Sequence, residues 1–238
     1  GYPRGEASEL NAQNDYEDKL LDTGEVFGLW VIEGPESLEA ELPFAKAGLP
    51  VKVARDSAPY KQQKVRILNG AHTSMVLAAY LTGQNIVREA MEDETIVSYM
   101  NRAIYEEIIP TLSLPENEST QFANSVVERF KNPFIDHSLL AIALNTTSKW
   151  KARVLPSVKG YVEKFHKLPK ILVFSFAAYL EFYRGVGLSD KGLVAMRAEQ
   201  EYLVNDDRSV LEFFYHHRSD SNSELVKNVC ANSAMWGE

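Results

Sequence analysis

One cysteine, Cys230, stands in 238 residues. It rules out an intrachain disulfide and any cysteine-rich metal site, and no metal is expected. A chain without a disulfide framework belongs by default in a reducing, cytoplasmic compartment. Basic residues are outnumbered, 25 Lys and Arg against 33 Asp and Glu, for a formal net charge of -8. Phosphate-contacting surfaces need clustered Lys and Arg, so no nucleic-acid partner is expected. No run reaches the roughly 18 to 20 apolar residues that span a bilayer. The longest candidate, Ile171 to Leu180, is closed off by Lys170 and Glu181 and has the length of a buried helix, so no membrane is expected. The opening Gly1-Tyr2-Pro3-Arg4-Gly5-Glu6 lacks the apolar core of a signal peptide and does not begin with methionine, which reads as an opening inside a longer protein. No Gly-x-Gly-x-x-Gly opens a helix after a strand, so no glycine-rich nucleotide cradle is expected in these residues.

What is present is a chain with 45% apolar residues, enough for a sizeable core. Residues 1–23 are polar and acidic with little periodicity. Val26 to Glu33 (VFGLWVIE), stopped by Gly34-Pro35, reads as a strand. Leu49 to Val53 reads as a second, and a pairing of the two would make a small β-ribbon. From Ser57 the pattern becomes helical. Helices are expected from about Pro59 to Leu81, Asp93 to Ile109, Glu118 to Phe130, Phe134 to Leu144, Val154 to Phe165, Pro169 to Tyr183, Gly192 to Leu203, Ser209 to His216 and Ser223 to Ala231. Pro110 ends the second of these, having no amide hydrogen to donate. Strands are expected only in the first quarter. The fold class is therefore mainly α, a multi-helical domain with a small β-ribbon near its N-terminus.

One segment stands apart, Lys64-Val65-Arg66-Ile67-Leu68-Asn69-Gly70-Ala71-His72. At about 100° per residue, with Lys64 at the origin, Asn69 falls near ~140° and His72 near ~80°, over roughly 12 Å of helix. A helix otherwise patterned for burial thus projects an amine, an amide and an imidazole to one side. Buried polar groups are costly without partners, so the trio is either a polar network in the core or the wall of a pocket. The chemistry open to a pocket wall is specific. A lysine with its pKa lowered by burial can exchange a proton with an alcohol or carbonyl oxygen. An asparagine amide can hydrogen-bond the oxyanion that develops as hydride moves. A neutral histidine can orient the substrate hydroxyl or the lysine. Gly70 costs the helix about 1 kcal/mol against Ala, and admits another backbone or a ligand close by.

The pattern Lys-x4-Asn-x2-His resembles the signature of the polyol-specific long-chain dehydrogenases, the family of mannitol 2-dehydrogenase, fructuronate reductase and tagaturonate reductase. Trp30-Val31-Ile32-Glu33-Gly34 and Asp56 through Pro59-Tyr60 are similar to family segments as well. Gly1-Tyr2-Pro3-Arg4 and Leu68-Asn69-Gly70-Ala71-His72-Thr73 resemble the tagaturonate reductase branch, as do Glu107-Ile108-Ile109-Pro110, Arg129-Phe130-Lys131-Asn132-Pro133 and Ile142-Ala143-Leu144-Asn145. The resemblance covers nearly the whole chain and weakens after about Asp190. It implies that Lys64 is the general acid/base, that Asn69 polarises the reacting oxygen and that His72 contacts the substrate. It implies an NAD-dependent enzyme interconverting tagaturonate and altronate, with a Rossmann-type domain ahead of a helical domain like that of 6-phosphogluconate dehydrogenase. Residues 1–23 would then be the tail and linker of the nucleotide-binding domain, and residues 24–238 the substrate-binding domain. NAD would be bound mainly by the upstream domain, where a further asparagine and an aspartate of the active site are also expected. A fragment without that domain is expected to be inactive.

A uronate carries a carboxylate, so a cation should face the pocket. Lys149 and Arg153, read as following a helix end, are the substrate-binding candidates by family analogy, and Lys151 is the weaker third. Arginine's fork suits a carboxylate, although basic residues near a helix C-terminus also simply complement its dipole. His137 reads as a cap or core residue, and the adjacent His216 and His217 as surface residues that point apart. Asp206-Asp207 reads as a helix N-terminus, Cys230 as unreactive, and Phe174, Phe176, Tyr179, Phe182 and Tyr183 as core. Fructuronate reductase, a mannitol 2-dehydrogenase-type enzyme and a non-catalytic helical binding module remain the alternatives.

Overall fold

The computed structural model describes residues 6–21, 27–133 and 135–237. The chain forms two compact units, Gly1–Ser57 and Ala58–Glu238.

The first unit holds α1 (Glu6–Gln13), β1 (Trp30–Glu33), α2 (Leu38–Glu41), a 3-10 turn (Ala45–Ala47) and β2 (Val51–Ala54). The expected ribbon is present, and its strands run parallel, with Trp30 opposite Val51 and Glu33 opposite Ala54. A parallel pair needs a crossover, which α2 and the turn provide. Val26, the expected first residue of the strand, lies outside the described residues. The Trp30 and Phe44 rings sit 5.9 Å apart within this unit. At the end of β1 the Glu33 carboxylate accepts from the Ser57 amide at 3.0 Å and from its hydroxyl at 2.7 Å. Those two bonds favour the ionised carboxylate and lower its pKa.

The second unit is built around one long helical run. α3 (Ala58–Gln63) passes into a π-helical segment (Lys64–Asn69) and then into α4 (Gly70–Leu81). From Gly70 to Tyr80 every residue of α4 is buried except His72, so α4 is the central helix. Its small side chains, Ala71, Ser74, Ala78 and Ala79, let neighbouring helices come close on several sides. Around it lie α5 (Val87–Glu92), α6 (Glu94–Arg102), a second π-helical segment (Ala103–Ile108), a 3-10 turn (Ile109–Thr111), α7 (Glu116–Phe130), α8 (Leu139–Ile142), α9 (Thr146–Arg153), α10 (Leu155–Phe165) and α11 (Lys170–Phe182). β3 (Gly185–Ser189), β4 (Gly192–Arg197), β5 (Gln200–Val204), α12 (Arg208–His216), α13 (Asn222–Cys230) and α14 (Ser233–Trp236) complete the unit. Local capping sets several starts: Asp93 accepts from the amides of Thr95 and Ile96, and Ser221 and Glu224 form a reciprocal box at α13. Among the described residues no helix is long and apolar enough to cross a membrane.

The mainly helical class holds, with three local corrections. The stretch from Gly192 to Leu203 is not a helix but part of a three-stranded antiparallel sheet ordered β3-β4-β5. Leu193 and Ala195 are buried from β4, and Tyr202 and Val204 from β5, which is the period of two that a strand imposes. Gly192 adopts a φ of 149°, with Val204 O only 2.6 Å from where a Cβ would stand. Strands are therefore not confined to the first quarter. The helix expected from Phe134 starts instead at Leu139, capped by Ser138, and Phe134 lies outside the described residues. Lys149 and Arg153 do not follow a helix end; both belong to α9, with Arg153 its last residue.

Glu107, in the second π segment, is a buried carboxylate with a structural task. Its two oxygens accept from the amides of Ile171 at 2.9 Å and Leu172 at 2.8 Å, in the first turn of α11. Pro169, the N-cap of that helix, supplies no side-chain cap, so Glu107 does so from another element, where the helix dipole favours a negative charge. Replacing it strands two amides, one of them fully buried. Glu107→Ala is expected to cost about 2–3 kcal/mol in urea denaturation, and Glu107→Gln, which keeps one acceptor oxygen, clearly less. A loss below about 0.5 kcal/mol for Glu107→Ala would remove this role.

Candidate functional site

Lys64, Asn69 and His72 lie on one continuous helical run, but the winding between the first two differs from the expected one. The segment Lys64–Asn69 is π-helical, closed by the Gly70 amide bonding back to the carbonyl of Val65. A turn of i to i+5 brings residues five apart toward one face, and Lys64 and Asn69 are five apart. The arc between them is therefore narrower than plain α-helical spacing predicts. Single π turns are uncommon and recur at functional sites.

Two contacts hold this winding in place. Arg66 donates from Nε to Ser157 Oγ at 3.0 Å and from Nη2 to Pro156 O at 3.2 Å and to the Thr111 hydroxyl. Partial burial lowers the pKa of its guanidinium. One turn later the Arg153 carbonyl lies 3.0 Å from where a Cβ on Gly70 would be. Gly70 thus admits a backbone: the C-terminal end of α9 seats directly against the catalytic-candidate helix.

The three side chains then differ in exposure. Lys64 is exposed, so burial does not supply the environment expected for its amine within the described residues. Asn69 and His72 are half-buried, and among the described residues Asn69 Oδ1 and His72 Nε2 are buried atoms with no hydrogen-bond partner. Such atoms are costly in a closed core and are what a site for a polar ligand leaves open. The His72 ring stacks on Phe130, centroids 3.9 Å apart and planes 9° from parallel, and meets the His137 ring edge-on at 6.0 Å. Burial, His137, Arg153 and Arg129, in that order, push the His72 pKa down to about 3. The imidazole is consequently neutral at physiological pH.

The two cation candidates on α9 lie one helical turn apart. Arg153 Nη1 donates to Thr73 Oγ1 at 3.4 Å, and that hydroxyl donates to Asn69 O at 2.8 Å, so the guanidinium is linked to the helix that carries the trio. Lys149 Nζ donates to Ile142 O at 2.8 Å, at the end of α8. Burial and the nearby Arg153 lower the Lys149 pKa, against the opposing pull of Asp206. Asp206 accepts from the Thr147 amide at 3.0 Å and from the Tyr183 hydroxyl, so it caps the start of α9. His216 is exposed with Nδ1 on the carbonyl of Glu212, and His217 is half-buried with Nδ1 on Asp220. Cys230 is an exposed free thiol. Phe130 and Arg66 are the residues that pattern reading left without a task. Phe130 sits inside the quoted Arg-Phe-Lys-Asn-Pro stretch, and no local spacing links it to a histidine fifty-eight positions earlier.

A family model, mannitol dehydrogenase C-terminal domain, matches residues 56–237. The chain belongs to this family. It is similar over its whole length to altronate oxidoreductase of Yersinia enterocolitica, 43% identical across 100% of this chain and 48% of that protein. The altronate oxidoreductase of Klebsiella pneumoniae is 44% identical, across 99% of this chain and 48% of its own. The chain thus spans about half the length of the curated relatives it matches. Among solved structures, Pseudomonas fluorescens mannitol 2-dehydrogenase, in a ternary complex with NAD and D-mannitol, shares the fold with a TM-score of 0.71 at 22% identity, over 98% of this chain and 44% of that one. A substrate-free D-sorbitol dehydrogenase gives 0.68 at 24%, over 96% of this chain and 48% of that one. This mannitol dehydrogenase C-terminal domain therefore keeps the family fold, and the Lys-x4-Asn-x2-His run lies inside the matched residues.

The low pKa of His72 has a stability consequence whose sign is fixed. The unfolded histidine takes up a proton below about pH 6.5 while the folded one stays neutral down to about 3. His72 therefore contributes stability above pH 6.5 that is lost as pH falls toward 3. Urea midpoints measured from pH 7.5 to 4 should fall further in the parent chain than in His72→Gln. Histidine NMR should show no His72 titration between pH 8 and 5. A His72 midpoint near 6.5 would contradict the burial of its ring.

Proposed function

We propose that this chain is the substrate-binding and acid/base half of an NAD-dependent oxidoreductase that interconverts tagaturonate and altronate. The observation that carries this reading is the presence, on one helical run that is π-wound from Lys64 to Asn69, of Lys64, Asn69 and His72, with the last two offering unpartnered buried polar atoms among the described residues. Whole-chain identity of 43 to 44% to altronate oxidoreductases supports the choice of a sugar acid. Residues 1–23 are assigned to the tail of a nucleotide-binding Rossmann domain and residues 24–238 to the substrate domain. That upstream domain is the chain's principal partner.

The unpartnered atoms, a carboxamide oxygen and an imidazole nitrogen, match the hydroxyls of a small polyol better than a dinucleotide. NAD is accordingly assigned mainly to the upstream domain, and when bound it supplies or accepts the hydride. The residues of this chain handle the oxygen and its proton. In the oxidising direction Lys64 takes the hydroxyl proton as the C–H hydride leaves, and in the reducing direction it returns a proton to the new alkoxide. Asn69 hydrogen-bonds the reacting oxygen. Neutral His72 binds a neighbouring hydroxyl through Nε2, and the Phe130 face beneath it keeps the ring from turning. Lys149 and Arg153 bind the substrate's carboxylate end. The exposure of Lys64 fits a pocket closed by the other half of the protein.

In the full-length protein, Lys64→Ala should lower kcat by roughly 100-fold or more, the usual scale for loss of a general acid/base. Unchanged turnover would remove Lys64 from its role. A panel of keto-uronates and ketoses with NADH and NADPH tests the substrate: fructose reduced as well as tagaturonate would overturn the uronate assignment in favour of a mannitol 2-dehydrogenase-type enzyme. The 238-residue chain alone should neither turn over nor bind NADH tightly, which a fluorescence titration checks.

A further inference from the structure

Lys149 is referenced at both ends to the link between α8 and α9. Its amide closes the first turn of α9 on the Asn145 carbonyl at 3.2 Å, and its ammonium donates to the Ile142 carbonyl at 2.8 Å. The place of that amine therefore depends on the backbone from 142 to 145. Asn145, the N-cap of α9, is left-handed, with φ 54° and ψ 46°, and its side chain makes no cap bond. An N-cap is ordinarily extended and supplies a side-chain acceptor. The left-handed region is open to glycine, tolerated by asparagine and costly for a β-branched residue. Asn145 is exposed, so burial of its side chain does not hold it there.

What holds it comes from the end of the small sheet. The Asn145 amide donates to the Asn205 carbonyl at 2.9 Å, and the Thr147 amide to Asp206 Oδ2 at 3.0 Å. Two consecutive residues after β5 thus grip the first turn of α9. The Asp206 carboxylate is itself fixed: Oδ1 accepts from the Asp207 amide at 2.8 Å, and Oδ2 also accepts from the Tyr183 hydroxyl. Thr147 has a second tie, between its hydroxyl and that of Tyr179 at 2.8 Å. Tyr179, in the last turn of α11, and Tyr183, just past its end, are fully buried and give the clamp a rigid base. A strained backbone conformation persists where the surrounding structure over-determines it, and such residues gather at functional sites.

We propose that Asn145 and Asp206 are positioning residues of the substrate site: the left-handed turn at Asn145, clamped by the Asn205 carbonyl and the Asp206 carboxylate, sets the register of the first turn of α9 and with it the place of the Lys149 ammonium. This rests on the reading above in which Lys149 binds the acid end of the substrate, and extends it to two residues that do not touch the substrate. Neither lies in the Lys-x4-Asn-x2-His signature, and Asp206 reaches Lys149 only through the fold. A clamp that merely stabilised α9 would act with or without the lysine, whereas a positioning device acts through it.

In the full-length protein, Asn145→Val opposes the left-handed turn and Asn145→Gly permits it. Asn145→Val and Asp206→Ala should each raise KM for tagaturonate roughly tenfold, the scale of a lost hydrogen bond to a charged group, and change kcat by less than about twofold. Asn145→Gly should keep the parent KM, and Asp206→Asn, which retains an acceptor oxygen for the Thr147 amide, should recover part of it. In a Lys149→Ala background neither Asn145→Val nor Asp206→Ala should add more than about twofold to KM. A rise that persists without Lys149 overturns the proposal, as does an unchanged KM in Asn145→Val. Where Asp206→Ala does not fold, the exposed Asn145 pair carries the test alone. The amine is also read without turnover, by the rate at which an N-hydroxysuccinimide ester acylates Lys149, followed by mass spectrometry. Release from the Ile142 carbonyl should speed acylation roughly threefold or more in Asn145→Val and not in Asn145→Gly. A protein that reduces no keto-uronate fails the reductase reading, and the clamp is then upheld or overturned by that rate. Equal rates in the two variants overturn it.

Discussion

The seat of the Arg153 carbonyl against Gly70 is the contact on which the rest of the site depends. It lets the end of α9 touch the central helix at the junction between π and α winding, and any side chain at position 70 would push the two apart. From that contact follow the placement of the Arg153 guanidinium over Thr73 and the position of Lys149 one turn back. One turn earlier Arg66 ties the π segment to α10 and the turn at Thr111. The wide turn is thus held at two points, which is how a locally unfavourable winding persists.

Electrostatics follows from the same packing. α4 is buried from Gly70 to Tyr80, and His72 is the one break in that stretch. Burial first, and then the basic groups around it, keep the imidazole unprotonated, so it offers a hydrogen-bonding nitrogen rather than a charge. The cationic work is left to α9. The start of α9 is in turn fixed by Asp206 from the end of β5, through the Thr147 amide, with Tyr183 completing the carboxylate's bonding. The small sheet, of which the β4 and β5 stretch reads locally as a helix, therefore contributes to the site at one remove.

Much of the helical frame was legible because amphipathic spacing and breakers are local signals. α7, α10, α11, α12 and α13 fall where periodicity and the prolines and caps around them place them. The segment from Gly192 to Leu203 reads as a helix because the consecutive apolar Leu193, Val194, Ala195 and Met196 fit a helical window as well as a strand; the antiparallel pairing of β4 with β5 decides for the strand. α9 was missed because Thr146, Thr147 and Ser148 read as loop, and its capping carboxylate lies fifty-nine residues away from Thr147 in the chain. Glu107 carried a detectable signal, a charge on a face patterned for burial, but not the identity of the amides it serves.

By itself the sequence determined the helical class, the candidate trio and the family signature, since each is written in spacing along one stretch of chain. It also bounded the charge and excluded a disulfide by composition alone. Only the tertiary structure decided how wide the turn between Lys64 and Asn69 is, which ring supports His72 and which basic groups gather beside it. Those outcomes depend on segments far apart in the chain meeting under close packing, and close packing is a property of the folded volume rather than of any local pattern.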